Sequence, residues 1–199
     1  MSTDAIKKSG KHGFGMVKNK KQLIHLFLII SFILSSYTYA QSNNTVDWDK
    51  IEYHLYKDLR AEHPDKSEAE IEQALGYTFL VSDNQWERAV FHFKKAVELD
   101  PTLYWSWYNL GLIYADEEEG RDYFRKAIEA NPDFPPAYYW LGYSLCRNRR
   151  DKEALPIFKK YLEVAKDNPK EKNRFEFANK LVKELLSGKE GENLRKIRK

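Results

Sequence analysis

The feature that most constrains the fold of this chain is a sequence motif that occurs three times, with copies about one helical hairpin apart. Residues 88–101 read RAVFHFKKAVELDP, residues 120–132 read GRDYFRKAIEANP, and residues 153–164 read EALPIFKKYLEV. A leucine–glycine pair precedes each copy, at Leu75-Gly76, Leu110-Gly111 and Leu141-Gly142. Self-similarity at this period is typical of a stack of helix pairs rather than of one globular core.

Apolar spacing and capping residues predict a series of helices with short breaks between them. The predicted ranges are 47–62, 67–81, 84–100, 102–116, 118–130, 136–148, 151–165 and a last helix that ends at Ser187. Ser67 and Glu70 have the spacing of a capping box, Asp151 is a predicted N-cap, and Gly188 ends the last helix. No segment alternates as a strand would, so the sequence predicts an all-α protein.

The repeated residues resemble the tetratricopeptide repeat (TPR) family, whose unit is a helix-turn-helix of 34 residues. The second unit matches at Trp107, Leu110, Gly111, Tyr114, Gly120, Phe124, Ala127 and Pro132. The third matches at Tyr138, Leu141, Gly142, Leu145, Ala154, Phe158 and Tyr161. The first matches at Leu75, Gly76, Phe79, Ala89, Phe93, Ala96 and Pro101. The resemblance implies a right-handed α-solenoid with units at about 67–100, 101–134 and 135–165, flanked by N- and C-terminal capping helices.

The spacing inside the units predicts one irregularity. The glycine of the leucine–glycine pair and the phenylalanine of the second helix are 17, 13 and 16 residues apart in the three units. The second unit therefore lacks about one helical turn near residues 115–120. In the third unit, Tyr161 replaces a small residue, which predicts an altered contact with the C-terminal cap.

The N-terminal 40 residues have the pattern of an export signal. Six lysines precede the apolar run 23–34, and Thr38-Tyr39-Ala40 provides small residues at the cleavage positions. Met16 is an alternative start. We therefore expect an exported protein of the bacterial periplasm, or a secreted or cell-surface one. The alternative is an uncleaved anchor of the inner membrane formed by residues 23–40.

The remaining segments flank the repeats. Residues 41–66 are predicted to be a linker and an N-terminal amphipathic helix, and residues 166–188 a C-terminal capping helix. Residues 189–199 hold five basic residues, with Leu194 and Ile197 as their only apolar ones. This composition predicts a disordered tail.

Charge and residue types argue against several functions. Loss of residues 1–40 changes the charge excess of +3 to about −2, so the basicity of the whole chain is no argument for nucleic-acid binding. After residue 40 the sequence holds three scattered histidines and one cysteine, which give no metal or catalytic constellation. Cys146 is interpreted as a buried apolar residue. The sequence thus predicts no enzyme activity, no cofactor and no metal site.

The resemblance implies that the first helix of each unit lines a concave wall. Its predicted groove residues are Tyr77, Trp105, Tyr108, Leu112, Tyr139, Tyr143 and Arg147. Because aromatic residues dominate this set, we expect an apolar or helical peptide of a partner protein rather than a terminal carboxylate, which needs Lys and Asn. The predicted function is a non-catalytic scaffold of the bacterial envelope. The alternatives are that these aromatic residues pack between helices, and that the protein is a structural or self-associating subunit, including a homo-oligomer.

Overall fold

The computed structural model describes residues 46–82 and 85–199. Within these ranges the chain forms nine α-helices, α1 to α9, and one 3₁₀ turn at Pro169–Glu171. In chain order the helices are Trp48–Glu62, Glu68–Val81, Trp86–Leu99, Tyr104–Ile113, Glu118–Ala130, Pro135–Arg147, Asp151–Ala165, Lys172–Ser187 and Glu192–Ile197. The first eight confirm the predicted helices to within a few residues at each end. The predicted export signal, and Asn84 as a helix start, lie outside the described residues.

Helix α1 belongs to a compact unit that ends at residue 65, and the other helices belong to a second unit, residues 66–199. Asp47 caps α1 by accepting a hydrogen bond from the backbone N–H of Lys50 at 3.0 Å. Leu55 is the buried residue of α1. The helix therefore has the amphipathic character that the sequence predicts.

The second unit begins with the predicted capping box. The Ser67 hydroxyl accepts from the backbone N–H of Glu70 at 3.2 Å, and the Glu70 carboxylate accepts from the Ser67 N–H at 3.0 Å. Both donors would otherwise lack a partner at the start of α2. The capping box therefore fixes the residue at which the first hairpin begins.

The helices of the second unit pack in chain order. Hairpins form between α2 and α3, α4 and α5, and α6 and α7; α3 then packs on α4, α5 on α6, and α7 on α8. This neighbour-to-neighbour packing is the architecture of an α-solenoid. Each hairpin puts a fully buried phenylalanine in the core, at Phe93, Phe124 and Phe158.

The glycine of each leucine–glycine pair lies against the phenylalanine of its own hairpin. A Cβ added at Gly76 would meet Phe93 Cδ1 at 2.7 Å, and one at Gly111 would meet Phe124 Cδ1 at 2.6 Å. At Gly142 it would meet Phe158 Cε2 at 3.0 Å. The ring occupies the space that a side chain would need, which explains why glycine and phenylalanine recur together.

The second hairpin confirms the predicted loss of a turn. Its first helix, α4, has 10 residues, whereas α2 has 14 and α6 has 13. The shortened end brings the Tyr114 carbonyl oxygen so close to Gly120 that an added Cβ would lie far inside 3.0 Å of it. Gly120 replaces the alanine of the other hairpins, Ala89 and Ala154, because this turn leaves no space for a methyl group.

The C-terminal cap contacts the third hairpin through a buried polar cluster. Tyr161 is fully buried and donates a hydrogen bond at 3.0 Å to Glu171, which also pairs with Arg174 at 2.9 Å. The expectation that Tyr161 meets the cap differently from a small residue is thereby confirmed. Helix α8 ends at Gly188, which has the left-handed backbone conformation of a C-terminal cap.

Two predictions at this end are wrong. Residues 189–199 do not form a disordered tail, because residues 192–197 form helix α9, which buries Leu194 and Ile197 against the array. Their three-residue separation puts both side chains on one helical face, and composition alone does not reveal this. Asp151 is not the N-cap of α7: Arg150 is, and Asp151 is the first helical residue.

Among the residues that the structure describes, no helix has the length and apolar content needed to cross a bilayer.

Candidate functional site

The predicted groove residues lie on the first helices of the three hairpins but differ widely in exposure. Tyr108, Leu112 and Tyr139 are buried, with 3%, 8% and 9% of their surfaces exposed. Tyr77, Trp105 and Tyr143 are half-buried, and the Arg147 side chain is 48% exposed. A partner could therefore reach the second group far more easily than the first.

Tyr108 packs within an aromatic cluster between the second and third hairpins. Its ring lies edge-on to Phe134 at 5.2 Å and to Trp105 at 5.7 Å, with Phe124 at 6.1 Å. Phe134 comes from the connection before α6, and it covers Tyr108 from the neighbouring hairpin. Tyr108 is thus a core residue of the junction, as is the buried Leu112.

Tyr139 is covered by the C-terminal cap. Its ring centroid lies 5.4 Å from that of Tyr161, and the Arg174 guanidinium lies 5.6 Å above the ring. Burial raises the pKa of the Tyr139 phenol well above its ordinary value. The phenol stays neutral at physiological pH, and the residue serves the packing of α6 against the cap.

Tyr143 and Arg147 share one accessible patch with Asp116. The Arg147 guanidinium pairs with the Asp116 carboxylate at 2.7 Å, which joins the turn of the second hairpin to α6. Burial raises the pKa of Tyr143, Arg147 lowers it and Asp116 raises it, so all three groups act on one another. We call Asp116, Tyr143 and Arg147 the α6 patch.

The α6 patch is bordered by Trp140, whose ring lies 5.5 Å from that of Tyr143. The Trp140 indole N–H is buried and lacks a hydrogen-bond partner within the described ranges 46–82 and 85–199. The structure therefore brings Tyr139, Trp140 and Tyr143 together in one ring cluster, and Trp105 and Tyr108 in another. Tyr77 lies on the first hairpin, where burial raises its pKa.

The first helices of the hairpins also form a buried polar contact whose residues are not among the predicted groove residues. The Ser106 hydroxyl, fully buried, donates a hydrogen bond at 3.0 Å to the side-chain oxygen of Gln73. It joins α2 to α4, as the Asp116–Arg147 pair joins the second hairpin to the third. A small polar residue between Trp105 and Trp107 was the sequence signal for it, because a buried hydroxyl needs a partner.

Cys146 is fully buried, as expected. Burial raises the pKa of its thiol to about 12, with Asp151 raising it further and Arg198 lowering it. The thiol is therefore neutral at physiological pH, which disfavours nucleophilic chemistry. In the described part of the chain, no group of three or more acidic, histidine or cysteine side chains could hold a metal ion.

Among the known proteins that are similar to this chain are a peptide N-acetylglucosaminyltransferase and MamA. A UDP-N-acetylglucosamine–peptide N-acetylglucosaminyltransferase from Giardia intestinalis (strain ATCC 50803 / WB clone C6) is 34% identical over 92 residues, which is 45% of this chain. The chain spans only 6% of the length of that relative. The crystal structure of MamA matches with a TM-score of 0.50 and 23% identity, over 75% of this chain and 91% of that one. This second likeness concerns the fold.

Family models match the repeats directly. One model, described as a TPR repeat, matches residues 80–117, and two described as tetratricopeptide repeats match residues 106–134 and 123–155. The match over 106–134 falls on the second hairpin, whereas those over 80–117 and 123–155 cover α3 with α4 and α5 with α6; together they include Gly111, Gly120 and Gly142. Such repeats support a protein–protein interaction scaffold. The chain is therefore supported as a tetratricopeptide repeat protein whose matched repeats span residues 80–155.

Proposed function

We propose that this protein is a non-catalytic scaffold of the bacterial envelope that binds an apolar or helical peptide of a partner protein. The observation that carries the binding proposal is the α6 patch. Its accessible guanidinium and half-buried phenol lie on the first helix of the third hairpin, and its carboxylate lies in the turn of the second hairpin. Arg147 supplies charge and Tyr143 supplies a rigid apolar ring that loses little entropy on binding.

Because part of the predicted groove is buried, fewer of its residues can contact the peptide. Tyr108, Leu112 and Tyr139 hold the hairpins together, so Trp105, Tyr143 and Arg147 are the residues that present surface to the peptide. Tyr77 extends the line onto the first hairpin. The peptide would lie along α4 and α6, with an acidic residue near Arg147 in competition with Asp116.

Peptide binding is tested with a displayed library of helical peptides, followed by calorimetry on the peptides that bind. Tyr143→Ala and Arg147→Glu should each weaken binding about tenfold or more, since both residues contact the peptide. Lys159→Glu is the matched control: it reverses a charge on the exposed face of α7 and should leave the affinity unchanged. Equal affinities for all variants would exclude the α6 patch as the binding surface.

Export is tested separately, by fractionation of cells of the source organism and mass spectrometry of the protein's N-terminus. A mature chain that begins at Gln41, recovered from the envelope or medium, is the expected result. Recovery of the intact N-terminus from the membrane fraction would favour the anchor formed by residues 23–40. Recovery of the intact chain from the cytoplasm would contradict the envelope assignment.

A further inference from the structure

Helix α9 is a short amphipathic segment held by a small set of contacts. It packs against α6 and α8, and it buries Leu194 and Ile197 in the same apolar cluster as Leu181 and Val182. The other side chains of α9 face solvent or are only partly covered. Two apolar residues three positions apart thus supply its whole apolar contact.

Arg198 directly follows the buried Ile197 and fixes the end of this segment. Its side chain is only 8% exposed, and its Nε donates a hydrogen bond at 3.2 Å to the Cys146 carbonyl oxygen, at the end of α6. Its guanidinium also pairs with Asp151 and with Glu190. The Cys146 carbonyl of α6 and the Asp151 carboxylate of α7 therefore form a socket for the guanidinium, and Glu190, from the connection before α9, adds a second carboxylate.

The start of α9 is held by a single residue of α8. The Glu184 carboxylate accepts from the backbone N–H of Asn193 at 3.1 Å and from that of Leu194 at 2.9 Å. Glu184 thus acts as a cap supplied by the surface on which α9 lies. The face of α6 and α8, with Asp151 at the start of α7, consequently offers three features to a helix: a carboxylate for its first N–H groups, an apolar contact, and a socket of one carbonyl and one carboxylate for a guanidinium.

The segment is suited to leave this face. A helix of six residues is far below the length that is stable alone in water, so its helicity depends on docking. The connection 188–191 contains two glycines, and Gly188 has no atom within 4 Å of the position of an added Cβ. Local opening is favoured where few buried apolar contacts hold a segment.

We propose that the face of α6 and α8 beneath α9 is a second partner-binding site, which α9 occupies until a helix of similar chemistry displaces it. The partner segment is a short helix of another protein that carries two apolar residues three positions apart and an arginine directly after the second. The contacts of Leu194, Ile197 and Arg198 define this pattern. The site does not include Tyr143 or Arg147, so it is independent of the peptide groove proposed above.

The test uses the full chain and a labelled peptide of residues 189–199 as the probe. In a Leu194→Asp, Ile197→Asp variant the chain's own α9 is undocked, which leaves the site open. Because an occupied site lowers apparent affinity in proportion to its open fraction, the probe should bind this variant at least about tenfold more tightly than the wild type. A probe with the Arg198→Ala change should bind the variant about tenfold more weakly than the unchanged probe.

A second measurement uses Cys146, the only cysteine of the chain. Modification by a thiol reagent should be faster in the double variant than in the wild type, because α9 lies against the end of α6. Added probe should slow it again. The circular dichroism of the variant, which retains α2 to α8, verifies that a change in reactivity does not come from unfolding.

Three results would overturn the proposal. The first is equal or absent probe binding to both chains, and the second is an unchanged Cys146 reaction rate. The third is a wild-type dimer that the double variant abolishes, since the occupant would then be α9 of a second copy. Arg147→Glu should leave probe binding intact, so failure of the groove proposal is distinguishable from failure of this one.

Discussion

The second and third hairpins pack their two helices through the same kind of contact but connect them with different turns. Both place a glycine of the first helix against a phenylalanine of the second, Gly111 on Phe124 and Gly142 on Phe158. Their connections differ: residues 114–117 follow a shortened α4, whereas residues 148–150 follow a full-length α6. The contact between the helices and the turn that joins them are therefore specified by separate residues.

The two turns also satisfy their backbone groups in different ways. The Ser144 hydroxyl, which comes from the next hairpin, donates a hydrogen bond at 2.8 Å to the Ala115 carbonyl oxygen in the second turn. In the third turn the N–H groups come from the turn itself: those of Arg149 and Arg150 donate to the carbonyls of Cys146 and Leu145 at 3.0 and 2.8 Å. This is a Schellman motif, with Arg149 in the left-handed conformation at φ 58°.

Among substitutions in the two hairpins, we expect Gly120→Ala in the second turn to have the largest effect on the free energy of unfolding. The added methyl group would overlap the Tyr114 carbonyl oxygen, a backbone atom that can move only if the turn opens. We expect a loss of about 3 kcal/mol in the free energy of unfolding, measured by urea denaturation followed at 222 nm. Ala154→Gly, at the matching position of the third hairpin, should cost about 1 kcal/mol through lower helix propensity. Equal losses at the two sites would show that the turns do not differ as described.

The shared glycine–phenylalanine contact predicts that substitution of either glycine lowers the free energy of unfolding, by a different amount at each site. Gly111→Ala should destabilise by about 2 kcal/mol and Gly142→Ala by about 1 kcal/mol, because an added Cβ approaches Phe124 more closely than Phe158. Both rings can tilt, so both losses should be below that of Gly120→Ala. The same denaturation experiment measures them, and a reversed order would contradict the explanation by contact distance.

The third turn predicts a gain in stability. An L-residue in the left-handed conformation costs about 1 kcal/mol relative to glycine. Arg149→Gly should therefore raise the free energy of unfolding by about 1 kcal/mol, since the pair that Arg149 forms with Glu190 at 3.7 Å is exposed and contributes little. A melting temperature equal to or below that of the wild type would exclude strain at Arg149.

The smallest expected effect is the pH dependence of the stability that the ion pairs of Glu118, at the end of the second turn, contribute. Hydrogen bonds from Arg121 and then Arg150 lower the pKa of Glu118 to about 2, against an opposing effect of burial. Because the folded-state pKa is depressed, the stabilisation is fully present above pH 4.5 and is lost as the pH falls towards 2. Arg150→Gln should raise the pKa of Glu118 towards 4.5, as measured by NMR titration of its side chain. An unchanged titration would show that Arg121 alone sets the value.

The sequence predicts the hairpins well because their specification is local. The leucine–glycine pair, the phenylalanine and the small residue four positions before it lie within one hairpin, so their pattern is visible without any knowledge of the neighbours. The short spacing from Gly111 to Phe124 likewise reveals the missing turn. The sequence does not reveal that Gly120 allows this turn, because the approach of the Tyr114 carbonyl depends on how α4 ends.

The candidate site is less predictable because its exposure depends on distant residues. Tyr108 is on the predicted stripe but is covered by Phe134 from the connection to α6, and Tyr139 is covered by Arg174 from the cap. Helical spacing shows which residues share a face but not what packs on that face. The same reason explains α9: the charged composition of residues 189–199 indicates disorder, and only the surface of α6 and α8 makes Leu194 and Ile197 core residues.

The packing of each helix on the next along the chain has a consequence for how the molecule forms. Most contacts join residues close in sequence, and low contact order favours fast folding, hairpin by hairpin. The hydrogen bond from Arg198 to the Cys146 carbonyl is an exception, because it spans 52 residues. Closing this contact therefore carries a larger loop-closure entropy than the contacts within the hairpins, so we expect α9 to dock after them.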